Sequence, residues 1–266
     1  MVGHGALFRL TIIVAAGVML VATVPARAQS EKTVTIVEDE EPVDMDACSA
    51  PGSFTGRIIH HNVVESLTEL RPDGSIEPRL ATSWKQQDPN TWRFQIREGV
   101  TFHDGTRLNA DAVVRALERV VGATFTCVVK DKYFSNFKIK ARKAGEYAVD
   151  LVSDTPWPIM PLYASGMAIP SPNTPMDKLV LNPVGTGPYV FDHWTQQQEI
   201  VLNRNKDWRG KKNLPVERVR YVFRKESSVR AAMVAVGEAD IAPSISQNDA
   251  VDPKTDTSYA NAEVAY

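Results

Sequence analysis

Hydrophobic and polar residues follow the clearest pattern between Val63 and Val121. Trp92, Phe94 and Ile96 alternate with arginine and glutamine, as in a strand with one buried face. Asn109 stands where a helix N-cap is expected, and apolar residues then recur at helical spacing. The predicted inner face of this helix is Val113, Ala116, Leu117, Val120 and Val121. The segment therefore predicts a strand, a polar turn and a capped helix.

Upstream of this strand, the alternating β-branched residues 32–37 predict a first strand. Residues 44–56 are mostly small and predict a loop, and residues 57–70 predict a helix. The apolar face of that helix comprises Ile59, Val63, Leu67 and Leu70. A polar turn is predicted at residues 86–90.

The downstream half predicts short strands separated by turns. The predicted strands are 137–141, 147–152, 189–194, 200–203, 219–223 and 240–242. Six prolines within residues 155–175 allow at most a short helix there. A last helix is predicted from Ser227 or Ser228 to Gly237, with an inner face of Val229, Ala232, Met233 and Val236. The order of elements predicts an α/β protein.

Four strings in this order resemble motifs of one family. They are EPRLATSW (77–84), WRFQIREGVTFHDGTRLNADAVVRALERV (92–120), NPVGTGPYVF (182–191) and GEADIA (237–242). They resemble the family 5 extracytoplasmic solute-binding proteins, which are the receptors of ABC importers for peptides, nickel and related solutes. A single strand, turn and helix would be a weak signal, whereas four ordered strings are specific.

The resemblance implies an α/β fold, the periplasmic binding protein-like lobe one, with mixed β-sheets and flanking helices. Residues 29–243 would form this lobe. Residues 244–266 would start the crossover to a second lobe that is missing, and we expect them to be poorly ordered. In peptide-binding relatives the acid that receives the peptide amino terminus comes from lobe two. The resemblance thus implies a truncated receptor, with weak or no solute affinity for residues 29–266 alone.

The amino terminus resembles a secretion signal. Arg9 precedes an apolar run, residues 10–24, and Ala26-Arg27-Ala28 is a small-x-small cleavage pattern. Cleavage after Ala28 is therefore predicted, with a soluble periplasmic product. An uncleaved anchor is the alternative. No cysteine follows the apolar run to carry a lipid.

Charge and cysteine content narrow the class further. The formal charge is −2, and loss of Arg9 and Arg27 with the leader would make it −4, which does not favour a nucleic-acid partner. Cys48 and Cys127 are the two cysteines of the chain. In an oxidising compartment they could pair, and two separate thiols are the alternative.

No motif in the chain indicates catalysis or a cofactor. On the predicted helix His61 and Glu65 could share a face beside His60, as in a metal site, but a third ligand is missing and a polar helix face is the favoured interpretation. His103 and Asp104 fit a turn rather than a catalytic triad. A nucleophile elbow and a phosphate-binding glycine loop are both missing. We expect no enzyme activity, no cofactor and no metal.

The resemblance places ligand contacts in loops. In the family the loop at residues 44–56 borders the ligand cleft. The residues predicted to contact a solute are Ser53, Phe54, Arg57, Tyr133, Phe134 and Trp157. Arg57 could meet an anionic group or could face solvent.

Three functional hypotheses follow. The first is a periplasmic solute receptor, most simply for peptides or a similar small solute, that acts as a monomer with an ABC permease of the inner membrane. The second is a truncated extracytoplasmic interaction or sensory module. The third, a secreted hydrolase, has no motif in its support.

Overall fold

The computed structural model describes residues 32–50, 54–210, 214–246 and 248–249. The predicted leader, its cleavage site and Ser53 lie outside the described residues, as do most of residues 244–266. The strands are β1 (Thr33–Glu38), β2 (Glu65–Ser66), β3 (Thr68–Leu70), β4 (Ile76–Pro78), β5 (Ala81–Asp88), β6 (Thr91–Ile96), β7 (Ile139–Gly145), β8 (Ala148–Ser153), β9 (Ala168–Ile169), β10 (Tyr189–Thr195), β11 (Glu199–Arg204) and β12 (Arg218–Phe223). The helices are α1 (Phe54–Ile59), α2 (Ala110–Val121), α3 (Met160–Gly166) and α4 (Ser227–Ala235), with a π-helical turn at Lys130–Phe134.

The first sheet has the strand order β1-β12-β11-β10. Strand β1 pairs in parallel with β12, whereas β12, β11 and β10 are antiparallel. Ile200, Leu202 and Tyr221 are buried on this sheet and pack with Ile58 and Ile59 of α1. These contacts form one of the hydrophobic cores.

The second sheet has the order β5-β6-β8-β7 and is antiparallel throughout. Helix α2 packs against it, and Phe94, Leu117 and Leu151 are buried between them. The Asn109 side chain accepts a hydrogen bond of 3.0 Å from the backbone N–H of Ala112, as a helix cap does. The predicted strand β6 and the capped helix are confirmed.

Most of the shorter predicted strands are also confirmed. Strands β1, β8, β10, β11 and β12 lie within one residue of their predicted bounds, whereas β7 begins two residues and ends four residues later than predicted. Residues 155–175 contain the short helix α3, as the prolines allow. The predicted strand at 240–242 is reduced to a single bridge between Ile241 and Ile36.

The predicted helix at 57–70 is wrong beyond residue 59, and the predicted loop at 44–56 is wrong at residues 54–56, which begin helix α1. Helix α1 ends at Ile59, and His61 has a φ of 67°, outside the helical range. The carbonyls of Asn62 and Val63 accept hydrogen bonds of 2.9 and 3.0 Å from the N–H groups of Tyr189 and Gly187. Because these carbonyls bind a distant segment, they are unavailable to a further helical turn. The shared helical face proposed for His61 and Glu65 therefore does not exist.

Two smaller predictions need correction. Strand β5 continues to Asp88, so the turn predicted at 86–90 is confined to its end. Helix α4 buries Arg230 and Ala231, while Val229 and Val236 are 42% and 70% exposed. The Arg230 guanidinium donates to the carbonyls of residues 224, 225 and 244, and of the predicted apolar face Met233 alone packs against a core cluster, partly buried. Within the described residues, no helix has the length and apolar character needed to cross a bilayer.

Candidate functional site

The loop that follows β1 surrounds a charged contact at the carboxyl end of that strand. Arg57 of α1 donates to the buried Glu38 carboxylate at 3.1 Å and to the Ser244 hydroxyl at 3.3 Å, and lies 3.9 Å from Asp39. Burial raises the pKa of Glu38, although the charge and hydrogen bond of Arg57 oppose this shift. The Arg57 guanidinium also lies over the Phe54 ring, 5.1 Å from its centroid. Two acids therefore already neutralise Arg57.

Residues 39–50, here called the β1 loop, are fixed at several points. Glu41 accepts hydrogen bonds from the Trp194 indole N–H at 2.6 Å and from the Gln197 backbone N–H at 2.8 Å. Asp44 is buried and accepts from the Asp46 backbone N–H and the Ser49 hydroxyl, both at 2.9 Å. Burial raises the pKa of Asp44. The first half of the loop is thus bound to the β10–β11 hairpin.

A buried ion pair links the β1 loop to helix α2. Arg119 donates two hydrogen bonds to the Asp46 carboxylate, at 2.9 and 2.7 Å. The Asp46 and Arg119 side chains are 0% and 3% exposed. The Val180 backbone N–H adds a third bond to Asp46, and Arg119 also donates to the carbonyl of Lys178. All of these groups are satisfied, as a buried pair requires.

The structure also joins Cys48 of the β1 loop to Cys127. Their Cα atoms lie 4.8 Å apart and are separated by 79 residues in the sequence. The Val129 backbone N–H donates to the Cys48 carbonyl at 3.0 Å beside this disulfide. The second half of the loop is therefore attached to the core of the second sheet, whereas its first half is attached to the first sheet.

The predicted contact residues divide into two groups. Phe54 and Arg57 lie together at the β1 loop, and Ser53 lies outside the described residues. Trp157 lies in an irregular segment as predicted, whereas Phe134 lies in the π-helical turn, and the two are only 3% and 6% exposed. They pack in an aromatic cluster at centroid distances of 4.1 to 6.4 Å. Its members are Tyr133, Phe134, Phe137, Trp157 and Tyr163.

Hydrophobic burial explains this second group. Trp157 and Tyr163 of the proline-rich residues 155–175 pack against the rings of residues 133–137. Tyr133 is half-buried and keeps part of its ring at the surface. A solute would have to displace the cluster to reach Phe134 or Trp157, so we leave both out of the candidate site.

Sequence reasoning missed a buried carboxylate, Glu65. It is fully buried and accepts hydrogen bonds from Arg79 at 2.8 Å, from Thr186 at 2.8 Å and from both Nη atoms of Arg209 at 2.6 and 2.8 Å. Burial alone would raise the pKa of Glu65, but the hydrogen bonds and charges of Arg209 and Arg79 outweigh burial and lower it. The only signal in the sequence was an acid inside the apolar run VVESL.

A cleft of about 390 Å³ lies beside this carboxylate. It is lined by the turn at residues 99–105 and by residues 204–209, which come from the two sheets. His103 faces the cleft with its Nε2 at 3.1 Å from the Gly187 carbonyl, and its Nδ1 accepts from the Gly185 N–H at 3.4 Å. Burial lowers the pKa of His103. The cleft therefore has a neutral histidine at its wall.

Asp104 does not orient His103. Its carboxylate accepts hydrogen bonds from Ser171 at 2.6 Å, Thr106 at 2.6 Å and Asn173 at 3.1 Å. These bonds outweigh burial and lower the pKa of Asp104 to about 2. Both side chains hold the turn against neighbouring segments. Within the described residues, no group of three or more histidines, cysteines or acids could hold a metal ion.

Comparison with known proteins finds one family model that matches most of the chain and a regulator that is similar to part of it. The model of the bacterial extracellular solute-binding proteins, family 5, middle part, matches residues 75–265. The Escherichia coli (strain K12) HTH-type transcriptional regulator SgrR is 29% identical over 168 residues, which are 56% of this chain and 27% of the regulator.

Two solved structures show the fold. The binding protein AgaA of A. tumefaciens R10, in complex with agropinic acid, has a TM-score of 0.72 and 26% identity over 83% of this chain and 45% of its own. A dipeptide-binding protein of Pseudoalteromonas sp. SM9913, in complex with Met-Leu, has a TM-score of 0.74 and 19% identity over 82% and 48%. This chain thus spans about a quarter of the regulator and less than half of each solved structure.

Proposed function

Because the chain belongs to the family 5 bacterial extracellular solute-binding proteins, we propose that it acts as the periplasmic solute receptor of an ABC importer. The family and the periplasmic binding protein fold support a role in solute binding for import. The proposed solute is a peptide or a similar small molecule. The proposed partner is an inner-membrane permease, with the receptor a monomer.

The fixed β1 loop is the observation in this chain that carries the proposal. A binding loop that is ordered before the solute arrives loses less conformational entropy on binding. The Asp46–Arg119 pair and the Cys48–Cys127 bond hold this loop between two cores. Phe54 and Arg57 are the side chains we propose to face the solute, with Ser53 beside them.

A panel of probes tests the proposal. The protein is purified as its native cells produce it. Its thermal unfolding is then measured with Met-Leu, agropinic acid and Ni(L-His), which are ligands of solved relatives. A probe present at about 100 times its Kd stabilises the folded state by about 2.7 kcal/mol. We expect a concentration-dependent rise in Tm with one chemical class. Uptake of that class should fall in a deletion strain.

Two further measurements test export and the solute-facing residues separately. Sequencing the amino terminus of the mature protein tests export, with Gln29 expected first. A double variant, Phe54→Ala with Arg57→Gln, should lose the ligand-induced rise in Tm, because the side chains proposed to face the solute are removed. No rise with any probe, together with unchanged uptake in the deletion strain, would refute the receptor proposal.

A sensory module is the second candidate function. The match to the regulator SgrR favours it, because that protein carries a segment similar to this chain. A sensor predicts that deletion leaves solute uptake intact and abolishes a transcriptional response to the solute. An importer receptor predicts loss of uptake.

A further inference from the structure

The second sheet has an open face with a row of charges across all four strands. The strand register aligns Lys85 of β5, Arg93 of β6, Asp150 of β8 and Arg142 of β7. Helix α2 packs on the opposite face, where Phe94 and other apolar residues are buried. The row therefore lies on the side of the sheet that faces away from the core.

The cations of this face exceed its acids. Asp150 is buried and accepts two hydrogen bonds from Arg93, at 2.7 and 3.0 Å, and one from Arg142 at 3.0 Å. The Arg142 side chain is nevertheless 68% exposed and that of Arg93 is 38% exposed. Lys140 pairs with Val152 in the register and lies on the same face, two residues from Arg142. With Asp88, the register partner of Thr91, four cations thus accompany two acids on this face.

Two of these cations are available for a partner. Lys85 and Lys140 are exposed, and neither has an ion pair with an acid in the part of the chain that the structure describes. The whole chain carries a formal charge of −2, so the positive face is opposite in sign to the protein as a whole. This local excess attracts an anionic surface.

The chemistry of the face favours a lipid surface over a protein. Apart from Val152 and Asp88, its other members are small or polar, namely Ser83, Thr91, Gln95 and Ala148. Specific protein interfaces are enriched in aromatic side chains and depleted in lysine. Trp84 and Trp92 are partly buried and pack against the core cluster instead. Single-stranded nucleic acid also needs exposed aromatic rings for stacking.

We propose that the open face of the second sheet, through Lys85, Arg93, Lys140 and Arg142, binds the anionic headgroups of a phospholipid bilayer. Each basic residue near such a surface adds a similar amount to the binding free energy, and salt screens this electrostatic contribution. The contact would keep a receptor beside the membrane that holds its importer. It does not depend on the identity of the solute or on the proposed receptor role.

Co-sedimentation with vesicles tests this proposal on the full chain. Phosphatidylcholine vesicles with and without phosphatidylglycerol are compared, at low and at high salt. We expect binding only with phosphatidylglycerol and a strong loss at high salt. The double variant Lys85→Gln with Lys140→Gln should weaken partitioning about 25-fold, at about five-fold per cation. Arg93 and Arg142 stay unchanged, so that Asp150 keeps its partners.

The matched control removes two exposed lysines elsewhere. The double variant Lys32→Gln with Lys225→Gln has the same net charge and should partition within about two-fold of the parent. Circular dichroism checks that both variants are folded. Equal losses in the two variants, or binding that ignores phosphatidylglycerol, would overturn the proposal. Binding to duplex or single-stranded DNA with the same dependence on Lys85 and Lys140, without vesicle binding, would overturn it as well.

Discussion

The two sheets differ in how the chain assembles them. The second sheet takes its four strands from residues 81–153, and each strand pairs with one that is near it in sequence. The first sheet pairs β1 with β12 in parallel, across more than half of the chain. The second sheet can therefore form from two local hairpins joined by the β6–β8 pairing, which spans 53 to 61 residues, whereas the first requires the closure of a much longer loop.

This difference explains where the candidate site lies. Closing the first sheet leaves the β1 loop between the two cores, and tertiary contacts rather than local pairing hold it there. Its anchors are Glu41 on the first sheet and Asp46 and Cys48 toward the second core. The second sheet serves as a rigid support. This difference predicts that substitutions at contacts made by the β1 loop and the first sheet with other segments lower stability strongly. Substitutions within the second sheet and its helix α2 should lower it little.

The largest expected effect is at the buried ion pair. Arg119→Met leaves the Asp46 carboxylate buried without its partner, so the free energy of unfolding should fall by about 3–5 kcal/mol. Equilibrium unfolding in urea measures this loss. Arg142→Met is the matched control, because Asp150 keeps Arg93 and Arg142 is exposed, and it should cost less than about 1 kcal/mol. Similar losses in both variants would contradict the assigned role of the pair.

The next effect concerns the backbone contact between residues 62–63 and 185–187. A Cβ atom at Gly185 would lie 2.0 Å from the Val63 carbonyl oxygen, and backbone atoms cannot move aside easily. Gly185→Ala should therefore cost about 3 kcal/mol. At Gly145, in the second sheet, the nearest atom to a Cβ is an alanine methyl at 3.5 Å. Gly145→Ala should change unfolding free energy by less than about 0.5 kcal/mol, and a larger cost there would weaken the contrast.

Low pH should destabilise the folded protein through His60, which follows helix α1. Burial, with the nearby charges of His61 and Arg79, lowers the pKa of His60 to about 3 from 6.5. The unfolded chain therefore binds this proton first, and stability falls as the pH drops from 6.5 toward 3. Each pH unit lowers the free energy of unfolding by at most about 1.4 kcal/mol, so the total loss between pH 6.5 and pH 5 is about 2 kcal/mol. His60→Gln should reduce this slope in urea midpoints measured across pH, with the remainder due to His61 and His103, whose pKa values burial also lowers. An unchanged slope would show that His60 is not responsible.

The smallest loss of stability is expected at the N-cap of helix α2, which packs against the second sheet. Asn109→Ala removes the hydrogen bond to the Ala112 N–H and should cost about 1 kcal/mol. Asn109→Asp keeps an acceptor at the N-terminus of the helix and should cost less. Thermal unfolding of the two variants checks this order, and equal losses would argue against capping.

Sequence patterns described most strands of both sheets and helix α2 better than residues 57–70. The alternation of Trp92, Phe94 and Ile96 and the cap at Asn109 depend on neighbours in the chain, so their structures could be predicted. The fate of residues 57–70 depended on carbonyls that bind Gly187 and Tyr189 more than a hundred residues away. Apolar spacing alone favoured a helix there, and long-range pairing decided otherwise.

The candidate site could be predicted only in part. The family resemblance placed the loop at residues 44–56, which overlaps the β1 loop, at the ligand cleft and selected Phe54 and Arg57. It also selected Phe134 and Trp157, because aromatic residues in an irregular segment look the same in sequence whether they are exposed or buried. The partners of Asp46 and Glu65 could not be predicted, since each depends on arginines supplied by other parts of the fold.

Hydrogen exchange with and without the most stabilising probe tests the central claim most directly. If this chain carries a solute-facing surface at the β1 loop, amide protection should rise in residues 39–50 and in α1. Strands β5 to β8 of the second sheet should exchange at unchanged rates. Protection confined to the second sheet, or none at all under conditions where the probe raises Tm, would contradict the account.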